Sequence, residues 1–345
     1  MTAPVPLRVG LIGAGMISRY HLIAWSRLGT ARVVAICDPD RARAEARARE
    51  FGVLAVYADA ADMIAHESLD AVDIASPRER HAEQVLLAAA RGLPTICQKP
   101  LAPTYEEAER LVAEVGGNCR LMVHENWRFR PFYRRTRQWV DEGRVGSIRS
   151  AAMTVRGSGF IAGADGRFPA LERSPYMRDL PRLAVSESLI HHIDVLRWLV
   201  GPLQVLAARI GRTCPEISGE DRAAIMMSSA DGVPVLVHGD TAAPGYPPRA
   251  GERFELIGTR ATVLFDDMRL SLSGKDTTAE AFDFAASYQA SFDGCIRHFV
   301  ECLRSGAEFE TNPCDNLQTL RLVEDTYRLA GPIAGPDGHR QLGCA

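Results

Sequence analysis

The chain of 345 residues contains no apolar run near the roughly 20 residues that a membrane-spanning helix requires. Residues 1–12, MTAPVPLRVGLI, lack the charged start, apolar middle and small-residue cleavage site of a secretory signal. Charge of one sign is also missing. The formal net charge is only −3, which argues against nucleic acid or a membrane surface as a partner. A cytoplasmic location is expected. The eight cysteines (Cys37, Cys97, Cys119, Cys214, Cys295, Cys302, Cys314 and Cys344) are scattered, with no CxxC pair and no Cys/His spacing of a metal site. They are expected to be reduced thiols acting as small apolar residues, with no metal bound. No internal repeat or low-complexity linker interrupts the chain.

What is present is ordinary globular composition, 46% hydrophobic and 24% charged, over a length that suits two domains. The first 120 residues alternate. Apolar runs at 7–12, 32–37, 71–76, 94–98 and 119–124 are separated by helical patterns at 15–28, 40–51, 77–91 and 104–115. Val- and Ile-rich strands alternating with helices predict βαβ units and a parallel sheet. Ser76 reads as the N-cap of the helix at 77–91, with Pro77 in its first turn and Glu79 completing a capping box.

Beyond about residue 124 the pattern changes. A helix at 131–142 leads into strand-like runs at 147–156, 203–212, 221–229, 233–240, 252–258, 261–266 and 268–273, divided by turn signals such as Asp231-Gly232 and Gly258-Thr259. That predicts an antiparallel sheet. Helices are expected at 188–200, 287–305 and 314–330, with Phe292, Ile296, Phe299, Cys302 and Leu303 as core residues of the second. The segment 157–183 reads as a long loop and the tail 331–345 as irregular. The change of pattern divides the chain into two expected domains, 1–124 and 125–345.

Three stretches carry chemistry. In VGLIGAGMISRYH, Gly13 and Gly15 follow the first strand directly. Gly13 permits a tight turn, and Gly15 lets the backbone approach a pyrophosphate at a helix N-terminus. Ser18 stands where a third glycine is usual and is small enough for close packing. Asp38 ends the second strand, placed to accept hydrogen bonds from a ribose diol, which favours NAD over NADP. Arg41 and Arg43 on the next helix are the residues that could favour NADP instead.

The second stretch is PTICQKPLAP, where an apolar strand ends on Lys99 locked before Pro100. The third is SESLIHHIDVLRWLVG, where Glu187 and His191 stand four residues apart and share a helix face. His192, the rival of His191, lies about 100° around that helix and has only Ser188 four residues before it.

Together with SPRERH, these segments resemble the glucose–fructose oxidoreductase and inositol dehydrogenase family (Gfo/Idh/MocA), from about residue 7 to about 330. The family usually shows Glu-Lys-Pro where this chain has Gln98-Lys99-Pro100. The resemblance implies an α/β protein: an N-terminal Rossmann parallel sheet followed by an α+β domain with a large, open, mostly antiparallel sheet. It also implies substrate held between the domains beside a nicotinamide, and an unusual backbone at the Lys99–Pro100 bond. Further cofactor contacts are implied for Met16, Ile17, Ser76, Pro77, His81 and Gln98. His191 aligns with the catalytic histidine and is read as the base, with Lys99 as a hydrogen-bond donor to the same oxygen or as the base itself, and Glu187 falls where aspartate is usual.

HENWRFRPFYRR, ICQKPLAPT and SPYMRDLPR resemble a sugar-acting branch that includes apiose dehydrogenase-like proteins. They suggest Asn126, Arg128, Tyr133, Tyr176, Arg178 and His192 as substrate contacts. The implied activity is NAD-dependent oxidation of a hydroxyl of a sugar, cyclitol or polyol by a homodimer or homotetramer. The alternatives are a glycosidase or eliminase of the same fold that retains its nicotinamide, and a non-catalytic NAD-sensing regulator.

Overall fold

The computed structural model describes residues 5–117, 119–275 and 277–333. The first four residues and the tail from 334 lie outside it, and with them most of the segment expected to be irregular and Cys344. The chain divides into two compact units, residues 1–131 with 285–320, and residues 132–284 with 321–345. This differs from a single cut at 124. The late helical segment packs with the first unit, because its apolar face completes that unit's core.

The first unit is built from β1 (Leu7–Ile12), α1 (Ser18–Ser26), β2 (Ala31–Cys37), α2 (Arg41–Phe51), β3 (Ala55–Tyr57), α3 (Ala60–His66), β4 (Ala71–Ile74), α4 (His81–Ala89), β5 (Thr95–Gln98), α5 (Tyr105–Val115) and β6 (Leu121–His124). Its six strands are ordered β3-β2-β1-β4-β5-β6 and every pairing is parallel. Such a sheet is covered on both faces, so the strands read as continuous apolar runs. β4, β5 and β6 are buried at all four positions each. β3 and α3 were not expected from the sequence, where a three-residue strand shows no periodicity.

The remaining elements are α6 (Pro131–Asp141), β7 (Ile148–Arg156), α7 (Pro169–Arg173), α8 (Ile190–Val200), β8 (Leu203–Gly211), β9 (Arg222–Ser229), β10 (Pro234–Asp240), β11 (Gly251–Gly258), β12 (Ala261–Asp266), β13 (Arg269–Gly274), β14 (Thr278–Ala281), α9 (Phe284–Ser305) and α10 (Pro313–Ala330). In the first unit, Phe292, Cys295, Ile296, Phe299 and Val300 of α9 join Trp25, Val9, Ile96 and Met122 in one core. Leu303 is only partly buried there. Burial of each such large apolar side chain contributes about 1.5–3 kcal/mol.

The second unit carries an eight-stranded sheet ordered β14-β13-β12-β11-β7-β10-β9-β8. All pairings are antiparallel except β7 with β10. One face packs under α8, whose residues Ile190 to Arg197 are all buried. Gly239 on β10 permits that approach, because a Cβ there would sit 2.8 Å from Leu189. The other face is open. Across it, Ala207, Met226, Leu236, Ala152, Glu255, Leu264 and Ser271 stand opposite one another on successive strands. The expected loop 157–183 contains the short helix α7 and a 3₁₀ turn at Pro175–Arg178.

Candidate active site

The glycine loop between β1 and α1 has the shape of an anion cradle. Gly13 has φ +102°, and a Cβ there would lie 2.6 Å from the Ala75 carbonyl oxygen, so only glycine fits. Its N–H donates to the Cys37 carbonyl at 2.7 Å. A Cβ on Gly15 would meet nothing within 4 Å, so the loop is open at that point. The N-terminus of α1 has Ile17 as its N-cap and no side-chain cap, while the fully buried Ser18 hydroxyl donates to the Gly15 carbonyl at 2.7 Å. Open space before an uncapped helix N-terminus suits a pyrophosphate. Met16 projects outward from the same loop, 57% exposed.

Asp38 lies at the end of β2 and is almost buried. Its Oδ2 accepts from the Ala14 N–H and its Oδ1 from the Asp40 N–H, each at 2.8 Å. Both neighbouring arginines are paired with acids. Arg41 binds Glu45 at 2.8 Å, and Arg43 binds Asp40 at 2.9 Å with Asp38 at 3.4 Å. The loop and Asp38 therefore fit a dinucleotide.

At the end of β4 the expected capping box does not form. Ser76 donates its hydroxyl to Gln84 Oε1 at 2.5 Å, a 3₁₀ turn occupies Arg78–Arg80, and α4 begins only at His81. The tie to Gln84, eight residues farther on, replaces the local cap. Pro77 is exposed. His81 is buried and lies 2.9 Å from the Pro100 carbonyl by Nδ1 and 3.0 Å from the Ser76 carbonyl by Nε2. It ties the β4 loop to the loop that carries Lys99. Burial lowers its pKa against the opposing pull of the two carbonyls.

Gln98, expected against cofactor, has its amide turned toward two buried histidines. Its Nε2 lies 2.8 Å from His21 Nε2 and 3.2 Å from His124 Nδ1. His21 Nδ1 in turn contacts Asp73 at 2.8 Å, and Trp25 Nε1 donates to the same carboxylate at 2.6 Å. Gln98 Oε1 accepts the Lys99 N–H at 3.2 Å, so this buried chain ends at the backbone of the lysine. Burial holds His124 well below its usual pKa, with His21 adding to the effect.

Lys99 follows the last residue of β5, at the carboxyl end of the parallel sheet where ligands bind in doubly wound folds. The Lys99–Pro100 peptide is cis. Burial lowers the Lys99 amine from 10.5 to about 8; Glu125 pulls it upward and Arg78 pushes it further down. Neither neighbour was singled out from the sequence. The register shows why Glu125 is there: Gln98 pairs with His124, so Lys99 and Glu125 are the next residues on adjacent parallel strands. Lys99 is also one of only two lysines, Lys275 being the other, a composition signal that could have drawn attention to it.

In the second unit, the helix expected over 188–200 begins earlier and differently. Ala184–Leu189 form a π-helical turn that runs into α8. Glu187 lies in that turn and is half-buried, and His191 is buried in the first turn of α8. His192, the rival histidine, is held by the Glu252 carboxylate at 3.0 Å and the Ser188 carbonyl at 3.1 Å. Tyr133 is fully buried and donates to the same Glu252 at 2.7 Å. Both were expected at substrate; their polar atoms meet at the Glu252 carboxylate.

The other expected contacts divide similarly. Asn126 is buried and donates to Ser291 Oγ at 2.7 Å. Arg128 is buried, with the Asp315 carboxylate at 2.5 Å and the Glu310 carbonyl at 3.0 Å. Both therefore support the first unit from within. Tyr176 is exposed, and Arg178 is paired with Glu216 near the surface. Among the described residues no cluster of His, Cys, Asp and Glu could hold a metal, and no helix is long and apolar enough to cross a membrane.

The Gly13–Gly15 cradle, Asp38 and a lysine beyond a parallel strand define a dinucleotide-binding oxidoreductase. A family model described as "Oxidoreductase family, NAD-binding Rossmann fold" matches residues 7–124, and the "GFO/IDH/MocA C-terminal domain" matches 133–264. D-apiose dehydrogenase of Paraburkholderia graminis is 36% identical, the match covering 92% of this chain and 86% of the relative. Inositol 2-dehydrogenase of Rhizobium meliloti is 27% identical over 93% and 96% of the two chains. The crystal structure of an oxidoreductase from Agrobacterium radiobacter in complex with NAD+, L-tartaric acid and magnesium is 29% identical, with a TM-score of 0.87 and coverage of 94% and 96%. The chain belongs to the GFO/IDH/MocA oxidoreductase family, and residues 7–124 are its NAD-binding Rossmann part.

Proposed function

We propose that this enzyme oxidises a secondary or anomeric hydroxyl of a sugar, cyclitol or related polyol, with His191, Lys99 and Glu187 as its chemical groups. NAD, when bound, accepts the hydride from the carbinol carbon. His191 removes the hydroxyl proton, an imidazole being suited to that task near neutral pH. Lys99 as ammonium donates a hydrogen bond to the same oxygen and stabilises its developing negative charge. Glu187 orients His191 or holds an adjacent hydroxyl. Gly13, Gly15, Met16 and Ile17 hold the pyrophosphate, and Asp38 the ribose. Ser76, Pro77 and His81 shape the neighbouring β4 loop.

The observation that carries this reading is the place of Lys99, half-buried just beyond β5 at the carboxyl end of the parallel sheet. A lysine used only for solubility has no reason to sit half-buried at the ligand-binding end of a sheet. The polyol class is supported by the names of the relatives, D-apiose dehydrogenase and inositol 2-dehydrogenase. His192 and Tyr133 act by holding α8 and α6 to β11 through Glu252. The open face of the second sheet, with Met226 and Leu236 exposed, supports assembly as a homo-oligomer.

The test is NADH formation on a panel of aldoses, lactols, sugar acids and cyclitols, beginning with D-apiose and inositol. Lys99→Met and His191→Ala each lower kcat at least about 100-fold, with NAD affinity nearly unchanged. If His192→Ala is inactive and His191→Ala near normal, the histidine assignment is wrong. Turnover without net cofactor reduction would instead support the nicotinamide-retaining alternative.

A further inference from the structure

The π-helical turn Ala184–Leu189 begins with four consecutive backbone N–H groups, and each has a partner drawn from elsewhere in the second unit. Leu183 N–H donates to the Glu220 carboxylate at 3.2 Å, and Val185 N–H to Glu220 Oε1 at 2.9 Å. Ala184 N–H donates to the Glu220 backbone carbonyl at 3.0 Å. Ser186 N–H donates to the Tyr327 hydroxyl at 3.2 Å, and that hydroxyl donates to Glu220 Oε1 at 2.7 Å. From Glu187 onward the turn supplies its own bonds, beginning with Glu187 N–H to the Leu183 carbonyl at 2.8 Å. Helix starts ordinarily leave such groups to water or to one capping side chain.

The surroundings keep this arrangement tight. Glu220 is fully buried. The preceding Gly219 allows the approach, because a Cβ there would sit 2.7 Å from the Leu180 carbonyl and 2.8 Å from Leu183 Cβ. Arg182 grips Glu324 with two hydrogen bonds, 2.6 and 3.1 Å, and lies 4.6 Å over the Tyr327 ring, so α10 is pinned to the same segment. Burial and the Glu220 carboxylate push the Tyr327 phenol far above its usual pKa, so it stays a donor. A buried carboxylate at the start of a helix also complements the helix dipole.

We propose that Glu220 and Tyr327 are positioning residues, which set the start of the helix that presents Glu187 and His191 to substrate. The inference rests on the catalytic reading of His191 given above. A misplacement of about 1 Å in such a helix is enough to lower a rate by about 100-fold. Within the turn the carboxylate and the phenol hydrogen-bond backbone N–H groups, so their effect is on where the helix starts and not on the chemistry directly.

The experiment compares Tyr327→Phe, Glu220→Gln and His191→Ala in the full chain. Tyr327→Phe is expected to lower kcat about tenfold and Glu220→Gln about 100-fold, with NAD dissociation constants unchanged. Hydrogen exchange of peptides covering 183–187 should quicken at least about tenfold, while β9 in the neighbouring sheet stays protected. Normal kcat in both variants despite faster exchange at 183–187 would overturn the proposal. Equal loss of protection in β9 would also overturn it, since the pair would then be only structural. If Glu220→Gln does not fold, Tyr327→Phe decides alone. Rapid exchange of 183–186 in the unmutated enzyme would refute the clamp itself. Full activity in His191→Ala would instead refute the catalytic reading, which separates the two failures.

Discussion

Gln98 Nε2 lies 2.8 Å from His21 Nε2, deep in the first unit. An amide N–H₂ can only donate, so His21 Nε2 is the acceptor and its proton lies on Nδ1, toward Asp73. The pair thereby sets the tautomer of a fully buried histidine and hangs the Lys99 backbone from the other end of the same amide.

Gln98→Glu places a carboxylate oxygen against the His21 Nε2 acceptor, so both groups lose their hydrogen bond. Thermal melts should show the variant less stable than the wild type by about 1–3 kcal/mol, the cost of an unsatisfied buried polar group. Equal melting of the two proteins would contradict the tautomer.

Lys99, with its amine lowered to about 8, makes the pH profile diagnostic. With ammonium as donor, kcat/KM falls as pH rises through about 8, and Lys99→Arg removes that fall at a lower overall rate. A profile that rises through 8 to a plateau would make Lys99 the base. The same shift has a stability consequence. The unfolded chain binds more protons than the folded one between about 8 and 10.5, so the Lys99 contribution to stability rises with pH over that window and is lost in Lys99→Met.

NAD should be preferred over NADP by at least about tenfold in kcat/KM, about 1.4 kcal/mol. Arg41 and Arg43 are already paired with acids, and Asp38 faces any 2′-phosphate with negative charge. Asp38→Ala should erode the preference, and Asp38→Ala with Asp40→Ala should erode it further by releasing Arg43. Steady-state kinetics with both cofactors decides this, and equal turnover of both by the unmutated enzyme would show that an arginine governs the pocket.

Met226 and Leu236 pair across β9 and β10 on the open face of the second sheet, 44% and 50% exposed. Leu236→Glu should reduce the mass measured by light scattering at micromolar concentration toward that of a single chain, with the melting temperature of the protomer little changed. An unmutated enzyme that is monomeric under those conditions would exclude this face as an interface.

Much of the fold was legible because its signals are local. β1 at Leu7–Ile12, the glycine turn at Gly13 and α2 from Arg41 to Phe51 announce themselves by apolar runs, by a residue without a Cβ and by helical spacing. The helix at 77–91 was harder. Ser76 has the right chemistry for a cap, yet Gln84 offers its hydroxyl a better partner, and the helix starts at His81. β14, four residues at Thr278–Ala281, follows no pattern that four residues could display.

The site divides along the same line. Lys99 beyond an apolar strand and Asp38 after β2 lie where the sequence puts them, because strand ends are set within a few residues, whereas Glu187 falls in a π-helical turn that regular helix spacing does not describe. The tertiary structure alone decided who holds whom. Glu252 meets His192 across 60 residues, Tyr327 meets Glu220 across 107, and Asp315 meets Arg128 across 187. A hydrogen bond between residues so far apart leaves no period or spacing in the chain. It exists only once the sheets bring the two groups within 3 Å and burial removes the water that would otherwise satisfy both.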